Sequence, residues 1–268
     1  MFNQIKDRYR YSIILLKQLI KTDFKLRYQG SFLGYLWSLL RPLALFAILY
    51  FIFVEFLKFG GDIPHFPVYL LLGIVLWNYF IEVTTGSIAA IVGRGDLMRK
   101  INFPKYVIVL AGSFSALINL AINFAVIAVF MFFNHVDIRM AVLVLPIIVL
   151  ELFVFALALA FFLSTAFVRF RDVSYIWEVL MQGAFYATPI LYALSEIPVK
   201  AAKILMLNPM AQIIQDARFV LITPQTVRIN DLYGSQIIRI VPIGIVIVCA
   251  VWATLYFRKQ SKYFAEDV

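Results

Sequence analysis

Six long apolar stretches run through this chain, and they restrict it to one solvent, lipid. They lie near Leu36–Phe56, Val68–Val92, Tyr106–Phe133, Met140–Val168, Val173–Leu194 and Ile237–Phe257. A bilayer core about 30 Å thick is crossed by about 20 apolar residues in a helix. The third stretch carries no charge, and the others hold isolated charges, mostly glutamates. Strands of a membrane barrel alternate apolar and polar side chains, and these runs do not. The chain is 63% hydrophobic and 15% charged, against about 25% charged in an ordinary soluble domain. In water, so apolar a fold would expose large sticky patches. The expected fold is an all-α polytopic membrane protein with six transmembrane helices, forming a single transmembrane domain over residues 1–268.

The basic residues fix the expected orientation. An even span count puts both termini on one side. That side collects Lys6, Arg8, Arg10, Lys17, Lys21, Lys25, Arg27 and Arg41, then Arg94, Arg99, Lys100 and Lys105, then Arg169 and Arg171, then Arg258, Lys259 and Lys262. These are 17 of the 24 lysines and arginines. Both termini are therefore expected in the cytoplasm, and the net charge of +9 reads as a topology signal with affinity for anionic lipid. Nucleic acid is not an expected partner, because the basic residues flank spans. No small-residue cleavage site follows a short apolar core, so no removable signal peptide is expected.

Three segments outside the spans have patterns of their own. Residues Tyr11–Tyr28 form an amphipathic pattern, with Lys17, Lys21 and Lys25 opposite an arc of Ile13, Leu15, Leu16, Leu19, Ile20, Phe24 and Leu26. A basic amphipathic helix lies in the membrane interface. Asp23 and Arg27 intrude on the apolar arc, four residues apart, where they can pair; that is either an ordinary surface pair or a contact with a cytoplasmic partner. Gly93–Pro104 is a cytoplasmic connection in which Asp96 can cap a short helix and Pro104 stops it. It is either a positive-inside loop or a knob that docks into a motor protein. Ser195–Ser235 lies on the outer side. Pro198 opens one run to Leu207, Asn208-Pro209 opens a second, and Thr223-Pro224 ends it. Each is apolar and too short to span, so a passive interfacial hairpin and an exit gate both remain open.

Chemistry is sparse. There is no Gly-x-x-x-x-Gly-Lys-Ser/Thr phosphate loop and no hydrolase signature. Cys249 is the single cysteine, His65 and His135 are far apart in sequence, and no metal cluster is expected. The intramembrane carboxylates Glu55, Glu82, Glu151 and Glu178 are functional candidates by default, but their scatter fits hydrogen bonding to Asn or Ser on a neighbouring helix. Asn119 and Asn123, one turn apart, fit interhelical glue. Aromatics make up 16% of the chain, more than interfacial belts need. Most should pack in the bundle, and a subset could line a path for sugars, whose C–H faces stack on rings.

Asp23-Phe24-Lys25-Leu26-Arg27-Tyr28 is followed by Leu33-Gly34-Tyr35-Leu36-Trp37 and Leu40-Arg41-Pro42-Leu43. Further on come Tyr69-Leu70-Leu71-Leu72-Gly73, Trp77-Asn78-Tyr79-Phe80 and Lys100-Ile101-Asn102-Phe103-Pro104-Lys105. Phe170-Arg171-Asp172-Val173, Thr188-Pro189-Ile190-Leu191-Tyr192 and Asn208-Pro209-Met210 complete the set. In order and spacing these pieces resemble the membrane subunit of type-2 ABC exporters for polysaccharides and polyol phosphates (O-antigen, capsule or teichoic acid). Arg41 departs from the pattern, which has an apolar or small polar residue there more often.

The resemblance implies an inner or plasma membrane homodimer that moves a lipid-linked glycan outward, above two separate ABC ATPase subunits that bind the ATP and Mg. This chain would hold no cofactor and no catalytic residue. Residues 11–28 would be an interface helix and 94–102 a coupling helix, with Asp23, Arg27, Arg94, Asp96, Leu97, Met98, Arg99 and Lys100 against the ATPase. The channel would form between the copies, mainly from spans one, two and five. Its candidate lining is Tyr35, Trp37, Trp77, Trp177, Phe185, Tyr186 and Tyr192. Segment 196–235, with Pro198, Asn208, Pro209 and Met210, would be the exit gate. The physics agrees: each sugar hydroxyl costs kilocalories to bury unpaired in hydrocarbon, so a glycan needs a lined path and an energy source. Alternatives are an ABC exporter of a drug or small lipid, an ion-coupled carrier, which predicts inverted repeats not seen here, and, last, a glycan-processing membrane enzyme.

Overall fold

The computed structural model describes residues 2–27, 34–56, 63–101 and 103–264. Among them are eleven α-helices and no strand. In chain order they are α1 Phe2–Arg27, α2 Trp37–Tyr50, α3 Phe66–Ile88, α4 Gly95–Lys100, α5 Tyr106–Phe133, α6 Leu145–Arg169, α7 Val173–Ala187, α8 Val199–Leu205, α9 Pro209–Leu221, α10 Ile229–Tyr233 and α11 Ile240–Gln260. Four helices are long and apolar enough to cross a membrane: Phe66–Ile88, Tyr106–Phe133, Met140–Arg169 and Ile237–Gln260, the last two counted with a leading 3-10 turn. The chain is a multi-pass membrane protein.

α3 is the central helix. It packs on α2, α5, α6, α7 and α9, and Leu70 to Leu72 and Ile74 have almost no exposed surface. α11 lies along α6, and α1 lies along α5. Bundle packing in lipid depends on close contact and interhelical hydrogen bonds rather than on hydrophobic drive. Small buried residues permit that contact, including Ala111, Ser113, Ser115 and Ala116 on α5 and Ala156, Ala160 and Ser164 on α6. The Ser87 hydroxyl donates to Ala160 O at 3.3 Å, tying α3 to α6. Phe80 stacks on Phe155 with centroids 5.4 Å apart. Outward faces carry Phe132, Phe133, Leu150, Val248 and Trp252, as lipid requires.

Two expected spans differ from the long helices. α2 has 14 residues, with Pro42 among them, and continues as a six-residue π-helical stretch, Phe51–Phe56. α7 has 15 residues and stops at Ala187, short of the expected Leu194. Fifteen helical residues rise only about 22 Å. The stop follows from Thr188-Pro189: the residue before proline is pushed out of the helical region, and Thr188 is extended at φ −97, ψ 137. Beyond it, Ile190, Leu191, Ala193 and Leu194 are buried in irregular backbone.

Candidate functional site

Chemistry-bearing residues gather at the two ends of α3. At its C-terminal end, a 3-10 turn, Val92–Arg94, leads into α4. Asp96 lies inside the first turn of α4, and the N-cap is Arg94, which makes no side-chain cap bond. The expected Asp96 cap is thus corrected: the helix begins at Gly95, two residues earlier than an Asp96 cap needs. α4 ends where Ile101 turns extended, at φ −133, ψ 130. Met98 is 4% exposed and Phe103 is also buried, so both anchor the connection to the bundle. Met98 therefore does not join the outward surface expected of it. Asp96, Arg99 and Lys100 are exposed and Leu97 is half-buried, which leaves a small charged face pointing away from the bundle.

Asp23 has a partner far away in sequence. Its carboxylate pairs with the Arg94 guanidinium, 71 residues on. Arg94 also reaches Ile108 O on α5 at 3.5 Å. The same two groups join α1, α5 and the turn before α4, and both are largely shielded. The side chain of Arg27, the partner expected from sequence, lies outside the described ones. Lys17, Lys21 and Lys25 are exposed, as the amphipathic pattern requires.

At the N-terminal end of α3 the organising group is Arg218, which no sequence pattern singles out. It sits on α9 and is 0% exposed. Its Nε donates to Tyr69 O at 3.1 Å, Nη1 to Pro189 O at 2.5 Å and Gln215 Oε1 at 3.3 Å, and Nη2 to Ile190 O at 2.7 Å. The guanidinium also lies over the Tyr69 ring at 3.5 Å. Burial pulls its pKa down to about 10, so it stays charged at neutral pH. One side chain thus clamps α3, the segment after α7, and α9. Nearby, Asp216 accepts from Arg239 at 2.7 Å and from Gln212 at 3.2 Å. Burial raises the Asp216 pKa, and Arg239 and Gln212 oppose that.

The segment from Ser195 to Ser235 holds three short helices where two were expected, because Ile229–Tyr233 forms its own turn, with Arg228 N–H bonded to Asp231 Oδ2 at 2.8 Å. Pro198 is the N-cap of α8. Asn208 caps α9 through Oδ1, which accepts from Met210 N at 3.0 Å, with Pro209 in the first turn. Pro209 and Met210 are buried, so they hold α9 in place and present no surface.

The aromatic candidates divide. Trp37 is 47% and Tyr186 is 69% exposed on this chain, whereas Trp77 and Trp177 are buried. Trp77 packs edge-on to Phe185 at 5.9 Å, so the two tryptophans stand behind any lining rather than in it. Phe185 and Tyr192 are half-buried, and Tyr192 OH donates to Tyr186 O at 3.2 Å. The side chain of Tyr35 lies outside the described ones. Asn119 Nδ2 reaches both Glu82 carboxylate oxygens at 3.2 and 3.3 Å, and Asn123 Nδ2 donates to Asn119 O at 2.9 Å and approaches Ser38 O at 3.4 Å. These asparagines are interhelical glue, as expected. Among the described residues, no group of three His, Cys, Asp or Glu is placed to hold a metal ion.

Residues 14–222 match the family described as ABC-2 type transporter. The chain is similar to the O-antigen export system permease protein RfbA of Myxococcus xanthus, 29% identical over 270 residues and 100% of both chains. A Klebsiella pneumoniae protein of the same name is 32% identical over 213 residues, 78% of this chain and 82% of its own. Helices, clamped ends and sequence match agree: the chain belongs to the ABC-2 type transporter family.

Proposed function

We propose that this chain is the membrane subunit of an ATP-driven exporter that moves a lipid-linked polysaccharide, of the O-antigen kind, from the cytoplasm to the outer face of the inner membrane. The observation that carries this reading is similarity over the full length of a permease named for O-antigen export. Capsule and teichoic acid chains share the same chemistry and remain substrates of the same class. Two copies would form the conduit between them, with Trp37 and Tyr186 on its wall, Phe185 and Tyr192 at its edge and Trp77 and Trp177 as bracing. Two ATPase subunits beneath would bind ATP and Mg and press on Asp96, Leu97, Arg99 and Lys100. Helices α8 to α10 would gate the outer end as a re-entrant or interfacial hairpin.

Six passages are part of the proposal, and the anchors support them. Ser87 and Ala160 are level, as are Phe161 and Phe257, whose rings lie 4.8 Å apart. The foot of α3 is thus also the foot of α6 and α11. From that foot α7 leads back to Ile190, which Arg218 holds beside Tyr69. About 22 Å of helix plus the turn at Thr188–Ile190, in which Ile190 N–H bonds Thr188 O at 2.7 Å, brings the chain to the level of Tyr69. α2 with its π extension makes the corresponding climb to α3.

The test is reconstitution of the permease with its ATPase in proteoliposomes, scoring exposure of a lipid-linked glycan to an external glycosidase. Export that needs both ATP and the ATPase is the expected result. Export driven by an ion gradient with the ATPase omitted would overturn the reading.

A further inference from the structure

Apart from the surface proposed to face a second copy, the single chain holds a cavity, which meets that surface at Trp37. It measures about 550 Å³ and lies between α2, α3 and α5. That is within the range of about 300–1,000 Å³ typical of small-ligand sites. Its lining is polar for a site among membrane helices: Arg41, Asn78, Glu82 and Asn119 face it together with Trp37 and Tyr79. A second cavity of about 380 Å³ shares Glu82 and Gly86 with it and reaches Asp23 and Arg94. The pair therefore extends from mid-bundle to the foot of α3.

Two features mark the cleft as a binding site rather than a packing fault. The Tyr79 side chain is 3% exposed, lines the cleft, and its hydroxyl has no hydrogen-bond partner among the described residues. An orphaned hydroxyl in hydrocarbon is costly, unless something that enters the cleft bonds to it. Second, the Glu82 carboxylate is held by the Asn119 amide through both oxygens, so an acceptor is fixed beside the Tyr79 donor.

The mixture of groups selects the ligand. Arg41 and Asn78 could donate to a bare phosphate, but the Glu82 acceptor fixed beside Tyr79 would then face another anion. An alkyl chain gains nothing from Asn78, Glu82 or Arg41. Sugar hydroxyls both donate and accept, and the C–H face of a sugar ring stacks on an indole such as the half-exposed Trp37. We propose that this intrasubunit cleft binds the sugar headgroup of a membrane glycolipid whose acyl or prenyl chain stays in the bilayer. Tyr79 and Glu82 bond its hydroxyls, and Trp37 covers its face. The site deepens the glycan-export reading and rests on it.

The permease–ATPase complex in lipid nanodiscs is equilibrated with monoglucosyl diacylglycerol, diacylglycerol or phosphatidic acid, and retained lipid is counted by native mass spectrometry. Several-fold preferential retention of the glucosyl lipid is expected. Tyr79→Phe should bring retention down to the diacylglycerol level without lowering the melting temperature, since it deletes an unpaired hydroxyl. Equal retention of all three lipids, preference for phosphatidic acid, or unchanged selectivity in Tyr79→Phe would each overturn the site. Wild-type export together with any of those results sinks the cleft alone. Failure of wild-type export with selective retention intact sinks the export reading alone.

Discussion

Arg218 fulfils a demand that few other side chains could meet. A charge in an apolar interior is expensive unless every donor is matched, and here backbone carbonyls of Tyr69, Pro189 and Ile190 do the matching with help from Gln215. Five donors in a planar fork are needed to reach three directions at once. Arg218→Lys leaves at least one of these carbonyls without a donor, at about 1–3 kcal/mol for each group stranded, so the detergent-solubilised protein should melt several degrees lower. Gly73 is fixed by the same group: a Cβ there would lie 2.6 Å from Arg218 Nη2. Gly73→Ala should cost about 1–3 kcal/mol as overpacking. The two changes together should cost less than their sum, because both act on one guanidinium. Differential scanning fluorimetry on the four proteins checks this, and strict additivity would show the clamp to be misassigned. None of this is legible in sequence, where Arg218 is one of seven basic residues on the sparsely charged side and its carbonyl partners carry no side-chain signature. Asn208 is the opposite case, because an N-cap is a local rule and its bond to Met210 N is where Asn-Pro predicts it.

Elements were readable to the extent that their causes were local. The expected bounds of the third span coincide with α5, Tyr106–Phe133, because a mostly apolar run is bounded by Lys105 on one side and the polar Asn134-His135 pair on the other. The end of α7 was masked because apolar residues continue past Pro189 to Leu194, and their run outweighed the local stop signal of Thr188-Pro189. The Asp23–Arg94 contact was not legible for another reason: it depends on the tertiary packing of α1 on α5, which brings Asp23 to a cation 71 residues away. That contact links the α1 helix to the turn before α4, the two elements proposed to feel the ATPase. With α4 only six residues long and anchored by Met98 and Phe103, a push on its exposed face has a short route to α1 through Arg94. Asp23→Arg and Arg94→Asp should each reduce ATP turnover of the assembled complex several-fold, through repulsion at a largely shielded contact. The double swap should recover most of the loss. Turnover and assembly, read by copurification, are measured together: equal activity in all four proteins would detach this pair from coupling.

For the whole molecule, the count of crossings decides which end of the bundle meets which solution. Residues Asp96 and Gln225 are separated by α5, α6 and α7. α5 and α6 alone would return the chain to its starting side; a crossing by α7 puts Gln225 on the other. Four long helices are evident from composition and length, whereas α7 crosses only if its 15 helical residues and the turn at Thr188–Ile190 act as one span. The Arg218 clamp supplies the reason they would: it fixes Pro189 and Ile190 at the Tyr69 end of α3, opposite the Asp23–Arg94 end. In a Cys249→Ser background, single cysteines at Asp96 and Gln225 should therefore react with a membrane-impermeant maleimide from opposite faces. Asp96→Cys should label in inside-out vesicles and Gln225→Cys in right-side-out ones, since basic residues concentrate on the Asp96 side. Labelling of both from one face would leave α7 as a re-entrant helix. The chain would then cross an odd number of times, and its C-terminal basic cluster would move to the side opposite Arg94.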